Sequence, residues 1–82
     1  MPSKRKILKT EIDLYVIQKV KEKRLELNIS QAVLAYELGV SDSFIGMAES
    51  PKYTTRYNVQ HLNKLAKILE CSPQEFLPNI PL

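Results

Sequence analysis

A chain of 82 residues with 44% apolar and 26% charged side chains makes one small globular domain, which leaves no room for an enclosed cofactor pocket of ordinary size. Its single cysteine, Cys71, excludes an intramolecular disulfide and fits a reducing compartment, and no apolar run reaches signal-peptide or membrane-span length, so a cytoplasmic protein is expected. The net charge of +3 is confined to the start: Lys4, Arg5, Lys6 and Lys9 precede any acid, whereas from Glu11 onward eight basic residues meet nine acidic ones. Net charge alone therefore does not support nucleic-acid binding, and the case rests on where the charges lie.

Residues 1–9 read as a flexible basic arm, of the kind that gains DNA affinity by releasing counterions. Thr10 and Asp13 form a capping-box pattern ahead of a first helix, Glu11 to Leu27, with Ile12, Val16, Val20 and Leu27 spaced for the core. Asn28 stands where that helix must stop, a residue that tolerates a left-handed end. Ser30 and Ser41 each precede a short apolar-periodic run, predicting helices over Gln31–Leu38 and Asp42–Glu49 with Gly39-Val40 between them. Pro51 then opens a polar linker, and a fourth helix spans Val59 to Glu70 with Leu62, Leu65, Ala66 and Leu69 inward. Ser72-Pro73-Gln74-Glu75 combines an N-cap serine, a proline at the first helical position and a glutamate at the third, so it starts a last short helix carrying Phe76 and Leu77. The folded domain is expected over 10–78, with 79–82 as a tail.

The stretch QAVLAYELGVSDSFIGMAE, from Gln31 to Glu49, carries the spacing of a helix-turn-helix. Leu34, Leu38, Val40, Ile45 and Ala48 supply its core positions. Ala35 sits where two helices cross, and Gly39 sits where the first helix must turn left-handed. With VKEKRLELNISQAVLAYELGVS before and through the motif and LNKLAKILECSPQEFL after it, the chain resembles the Cro/CI-type (XRE) helix-turn-helix proteins from about Val16 to Leu77. That resemblance implies an all-α, five-helix, lambda-repressor-like bundle and a bacterial or phage DNA-binding regulator.

The motif places Ser41, Asp42, Ser43, Gly46 and Met47 on the outward side of the second helix, in reach of base edges in the major groove. Arg, Lys, Asn and Gln are absent from Asp42 to Glu49, so base reading is modest or works partly through DNA shape. Gln31, at an amide-rich helix start, matches the family position that anchors a backbone phosphate. Lys52, Thr54, Thr55, Arg56 and Asn58 in the linker are further phosphate candidates. The resemblance also places Arg24 and Glu49 where the family pairs its first helix with its recognition helix.

His61 is the single histidine, and no second ligand stands at metal spacing. Nor do a catalytic triad, a phosphate loop or paired carboxylates emerge, so neither an enzyme nor a cofactor is expected. The expected partners are double-stranded DNA and a second copy of the chain, with Phe76, Leu77, Ile80 and Leu82 either covering the core or forming a dimer contact. A different class of reading is a helix-turn-helix reused to bind a protein partner, antitoxin-like, with weak DNA affinity. The acidic start of the second motif helix and its missing base readers favour it. The basic arm, Gln31 and the Lys52/Arg56 linker oppose it.

Overall fold

The structure, a computed structural model, describes residues 8–82; Lys4, Arg5 and Lys6 of the expected arm lie outside them. Four α-helices follow in order: α1 (Glu11–Glu26), α2 (Gln31–Leu38), α3 (Phe44–Glu49) and α4 (Val59–Ile68). The expected fifth helix is a single 3-10 turn, η1 (Pro73–Phe76). No strand occurs among the described residues.

Side-chain caps account for most of the boundaries. The Thr10 hydroxyl accepts from the Asp13 amide while the Asp13 carboxylate accepts from the Thr10 amide, and at η1 the Ser72 hydroxyl accepts from the Gln74 amide while the Glu75 carboxylate accepts from the Ser72 amide. The end of α1 turns left-handed at Asn28, φ 57°, and the Ile29 amide donates to the Arg24 carbonyl. Leu27 is thus a cap residue rather than part of α1. Similarly α4 ends at Ile68 instead of Glu70, because Glu70 takes φ 59° and the Cys71 amide returns to the Ala66 carbonyl.

The core is contributed by every element: Val20 from α1, Leu34 and Ala35 from α2, Ile45 from α3, Leu65 from α4, and Phe76 from η1 have no exposed surface. Burying one of these side chains other than Ala35 is worth about 1.5–3 kcal/mol. Here α2 packs against α3 and α4, while α1 packs against α3 and η1. Two core expectations fail, since Ile12 and Leu27 are exposed. Along α1 only Val16, Ile17, Val20 and Arg24 are buried, so the face meets the core from its second turn onward and leaves Ile12 and the cap residue Leu27 outside. Phe76 fills the core, whereas Leu77, Ile80 and Leu82 remain exposed.

Lys9 corrects the expected arm boundary. It is buried against the end of α3, so the folded body begins before Thr10.

Candidate nucleic-acid interface

The turn between α2 and α3 is built as a close helix crossing. Ser30 caps α2 by accepting from the Val33 amide at 3.1 Å, and fully buried Ala35 lets the two backbones approach. Gly39 adopts φ 82°, so its amide and that of Val40 both return to the Ala35 carbonyl, at 2.9 and 3.0 Å. A Cβ there would be strained by the backbone alone.

The second helix starts later than Asp42. Ser41, Asp42 and Ser43 form a turn in which the Ser41 carbonyl accepts from the Phe44 amide at 3.0 Å. Ser41 is therefore not the N-cap. Ser43 holds that place without a side-chain cap bond, and α3 runs only over Phe44–Glu49. Short polar side chains compete with helix formation by favouring turn geometries, and three in succession delay it. All three are exposed, and the ion pairs among the described residues leave Asp42 out.

The other end of α3 is held by side chains from three directions. Arg24 of α1 grips Glu49 in a two-pronged pair, Nε to Oε2 at 3.0 Å and Nη2 to Oε1 at 2.9 Å. Both side chains are almost wholly buried, at 7% and 4% exposure. The Arg24 Nη1 donates in addition to the Ile29 carbonyl at 2.9 Å. The planar guanidinium matches the carboxylate geometry, so desolvation is offset by directed hydrogen bonds. Gln31 Nε2 also donates to Glu49 Oε1 at 2.9 Å, which lays the glutamine across α3. Gly46 makes room for it, because a Cβ at that position would sit 3.2 Å from Gln31 Oε1. Finally, the Lys9 ammonium donates to the carbonyls of Met47, Ala48 and Ser50.

The first turn of α3 leans on an aromatic group. Phe44 meets the edge of His61 with ring centres 5.2 Å apart, and Tyr57 lies 6.1 Å from Phe44. His61 doubles as a cap: its Nδ1 accepts from the Asn58 amide at 3.1 Å, while Asn58 Oδ1 accepts from the His61 amide at 2.7 Å. Burial lowers the His61 pKa. The Tyr57 hydroxyl is buried with no hydrogen-bond partner among the described residues, and burial, with the Glu49 charge adding, raises its pKa strongly against the opposing effect of Arg24.

The structure thus brings Gln31, Gly46, Glu49 and Arg24 together, with exposed Ser41, Asp42 and Ser43 at the opposite end of α3. Met47 is half-buried on α3. The linker candidates diverge. Lys52 and Thr54 are exposed just after α3, with the Lys52 amide bonded to Ser50 Oγ, and Thr55 is half-buried. Arg56 leans toward α1, 3.7 Å from Asp13 Oδ2, and the Asn58 side-chain oxygen is engaged in the α4 cap. Sequence reasoning missed Lys9 as a structural cation and Tyr57 as a core-flanking residue. Neither carries a periodic signal, because each lies outside a helix.

The profile of the family described as Helix-turn-helix matches residues 20–76, from the middle of α1 through η1. The chain belongs to the Cro/CI-type (XRE) helix-turn-helix family. A similar solved structure is the restriction-modification controller protein C.AhdI from Aeromonas hydrophila, with a TM-score of 0.67 and 26% identity over 78% of this chain and 94% of that one. An uncharacterized HTH-type transcriptional regulator, y4aM, of Sinorhizobium fredii is 28% identical over 80 residues. Those residues are 98% of this chain but 54% of that relative, so the chain spans about half the length of the curated relative it matches. Within the family frame, α2 and α3 are the two motif helices and α3 is the recognition helix. Among the described residues no helix is long and apolar enough to cross a membrane.

Proposed function

We propose that this helix-turn-helix protein is a sequence-specific DNA-binding transcriptional regulator acting as a repressor, with α3 in the major groove and no cofactor. One observation carries the reading: α3 is clamped at Glu49 by Arg24 and Gln31, while the Ser41–Ser43 turn at its other end is exposed. An interface of this kind needs a fixed helix whose base-facing end is unencumbered. Ser41, Asp42, Ser43 and Met47 would face the bases, with Gly46 beside them under the Gln31 side chain. Gln31 and Lys52 are the leading phosphate contacts, with Thr54, Thr55, Arg56 and Asn58 as secondary ones. The names of its relatives, a transcriptional regulator and a restriction-modification controller, agree with this reading.

A homodimer would read two half-sites about 34 Å apart. An apolar groove of about 330 Å³ between α1 and α4, lined by Ile12, Val16, Val59, Leu62 and Leu77, supports self-association. Light scattering at tens of micromolar protein tests the dimer, and a monomer mass with and without DNA would refute it.

Selection of the purified protein against a randomised duplex library at about 100 mM salt tests the function. An enriched palindrome is the expected result. Retention without a motif would reduce the activity to shape reading or non-specific binding. No retention would favour the other reading, a protein-interaction module, to which exposed Asp42 and the Arg56–Asp13 pair lend support.

A further inference from the structure

Lys9 lies outside the matched family region, in a segment whose charge pattern alone reads as a DNA-binding arm. Its side chain does something else. An ammonium has three N–H donors, and Lys9 Nζ donates to three carbonyls: Met47 at 3.3 Å, Ala48 at 2.6 Å, and Ser50. The residue is only 9% exposed. Met47 and Ala48 belong to the last turn of α3, and Ser50 is its C-cap. They lie at the C-terminal end of the helix, where the backbone dipoles concentrate negative charge; the Met47 carbonyl also accepts from the Ser50 amide at 3.2 Å, so Lys9 is its second donor. With six residues α3 has few internal hydrogen bonds, and its last turn contains no basic residue of its own. A cation from 38 to 41 residues earlier in the chain supplies what the helix lacks.

The neighbouring residues hold that cation in place. Thr10, next in sequence, is the N-cap of α1 and fixes the backbone from which Lys9 extends. Arg24, near the other end of α1, holds Glu49. The C-terminal end of α3 is therefore clasped at two points, by Lys9, just ahead of α1, on the carbonyls and by Arg24 of α1 on the last side chain.

We infer that Lys9 is a positioning residue for DNA recognition, a C-terminal cap supplied to the recognition helix from a distant part of the same chain, and not a phosphate contact of the basic arm. The inference rests on the DNA-binding reading for its consequence and on the α3 carbonyls for its mechanism. With all three donors engaged, Lys9 has none to offer a phosphate. Its contribution is to hold α3 at one angle, which matters for base reading and not for general attraction to the backbone.

The test compares the full chain with Lys9→Met, which keeps the stem and removes the donors, and Lys9→Gln, which restores a neutral donor. Amide hydrogen exchange reads the cap directly. Exchange at Ala48, Glu49 and Ser50 is expected to quicken about tenfold in Lys9→Met, with Val20 and Leu65 unchanged, and Lys9→Gln should recover part of the loss. Unchanged exchange at the end of α3 would overturn the inference whether or not the protein binds DNA. Affinity is measured for a duplex carrying the selected sequence and for a mixed-sequence duplex, each between 50 and 200 mM salt, about the range over which phosphate contacts register. Lys9→Met should weaken the selected duplex about tenfold, leaving the mixed duplex and the salt slope unaltered. Equal weakening of both duplexes with a slope reduced by about one would make Lys9 a phosphate contact and overturn the inference. If the wild-type chain binds neither duplex, the DNA reading fails separately and the exchange result alone decides the cap.

Discussion

The two ends of α3 are built on opposite plans. At the C-terminal end Glu49 is nearly buried under Arg24 and Gln31, and three carbonyls are closed by Lys9. At the N-terminal end Ser43 provides no side-chain cap, and three polar residues stand exposed in a turn. Stability is concentrated where the helix meets its own protein, and polar groups are left uncommitted where a groove would lie. The contrast shows how a six-residue helix, too short to be stable by itself, keeps a defined direction without spending its outward side chains.

The largest effect that would break this contrast comes from its buried charges. Arg24→Met leaves the Glu49 carboxylate buried without its partner, an expected loss of about 3–5 kcal/mol in urea unfolding. An Arg24→Met/Glu49→Gln double variant should regain a good part of it, and a single variant that melts like wild type would disprove the clamp. Gly46→Ala comes next. Replacing a helical glycine by alanine gains up to about 1 kcal/mol of helix propensity, yet the new methyl would press on Gln31 Oε1. Unchanged or modestly raised stability together with weakened binding to the selected duplex is the expected pair of results. It would separate the fold of α3 from the placement of Gln31.

Smaller effects sharpen the uncapped end. Ser43→Ala should change stability by less than about 0.5 kcal/mol in thermal melts, because no cap bond is lost. Thr10→Ala, which does lose one, provides the control at about 1 kcal/mol. The last effect concerns pH. His61 has its pKa lowered in the folded chain, so folded and unfolded forms are alike in charge well above 6.5, and the unfolded form takes the proton first as pH falls. The stability tied to neutral His61 is thus complete above that pH and declines as pH drops through the folded-state value. Since His61 Nδ1 must accept from Asn58, His61→Gln should flatten this part of a urea-midpoint profile between about pH 7 and 5.

Much of the fold was legible because its signals are local. Serine and threonine caps, the left-handed residue at Gly39, and the periodic apolar residues of α2 and α4 depend on neighbours within one or two turns, and they placed α2 without error. The start of α3 was read two residues early, since an N-cap serine and a turn serine look alike until the backbone is known. Ile12 and Leu27 had helical spacing but stay exposed, because periodicity describes a face and not how far its cover extends.

The candidate site divides along the same line. The sequence by itself determined that a helix-turn-helix is present, which residues fill its core, and that its second helix lacks the strong base readers. Only the tertiary structure decided what the polar residues do: that Gln31 lies over Gly46 onto Glu49, that Arg56 turns toward Asp13, and that Lys9 serves the helix rather than the solvent. The reason is physical. Caps and apolar periods act over a few residues of chain, whereas a charged side chain acts on whatever the fold brings within a few ångströms, in the case of Lys9 the carbonyl of a residue 41 positions away.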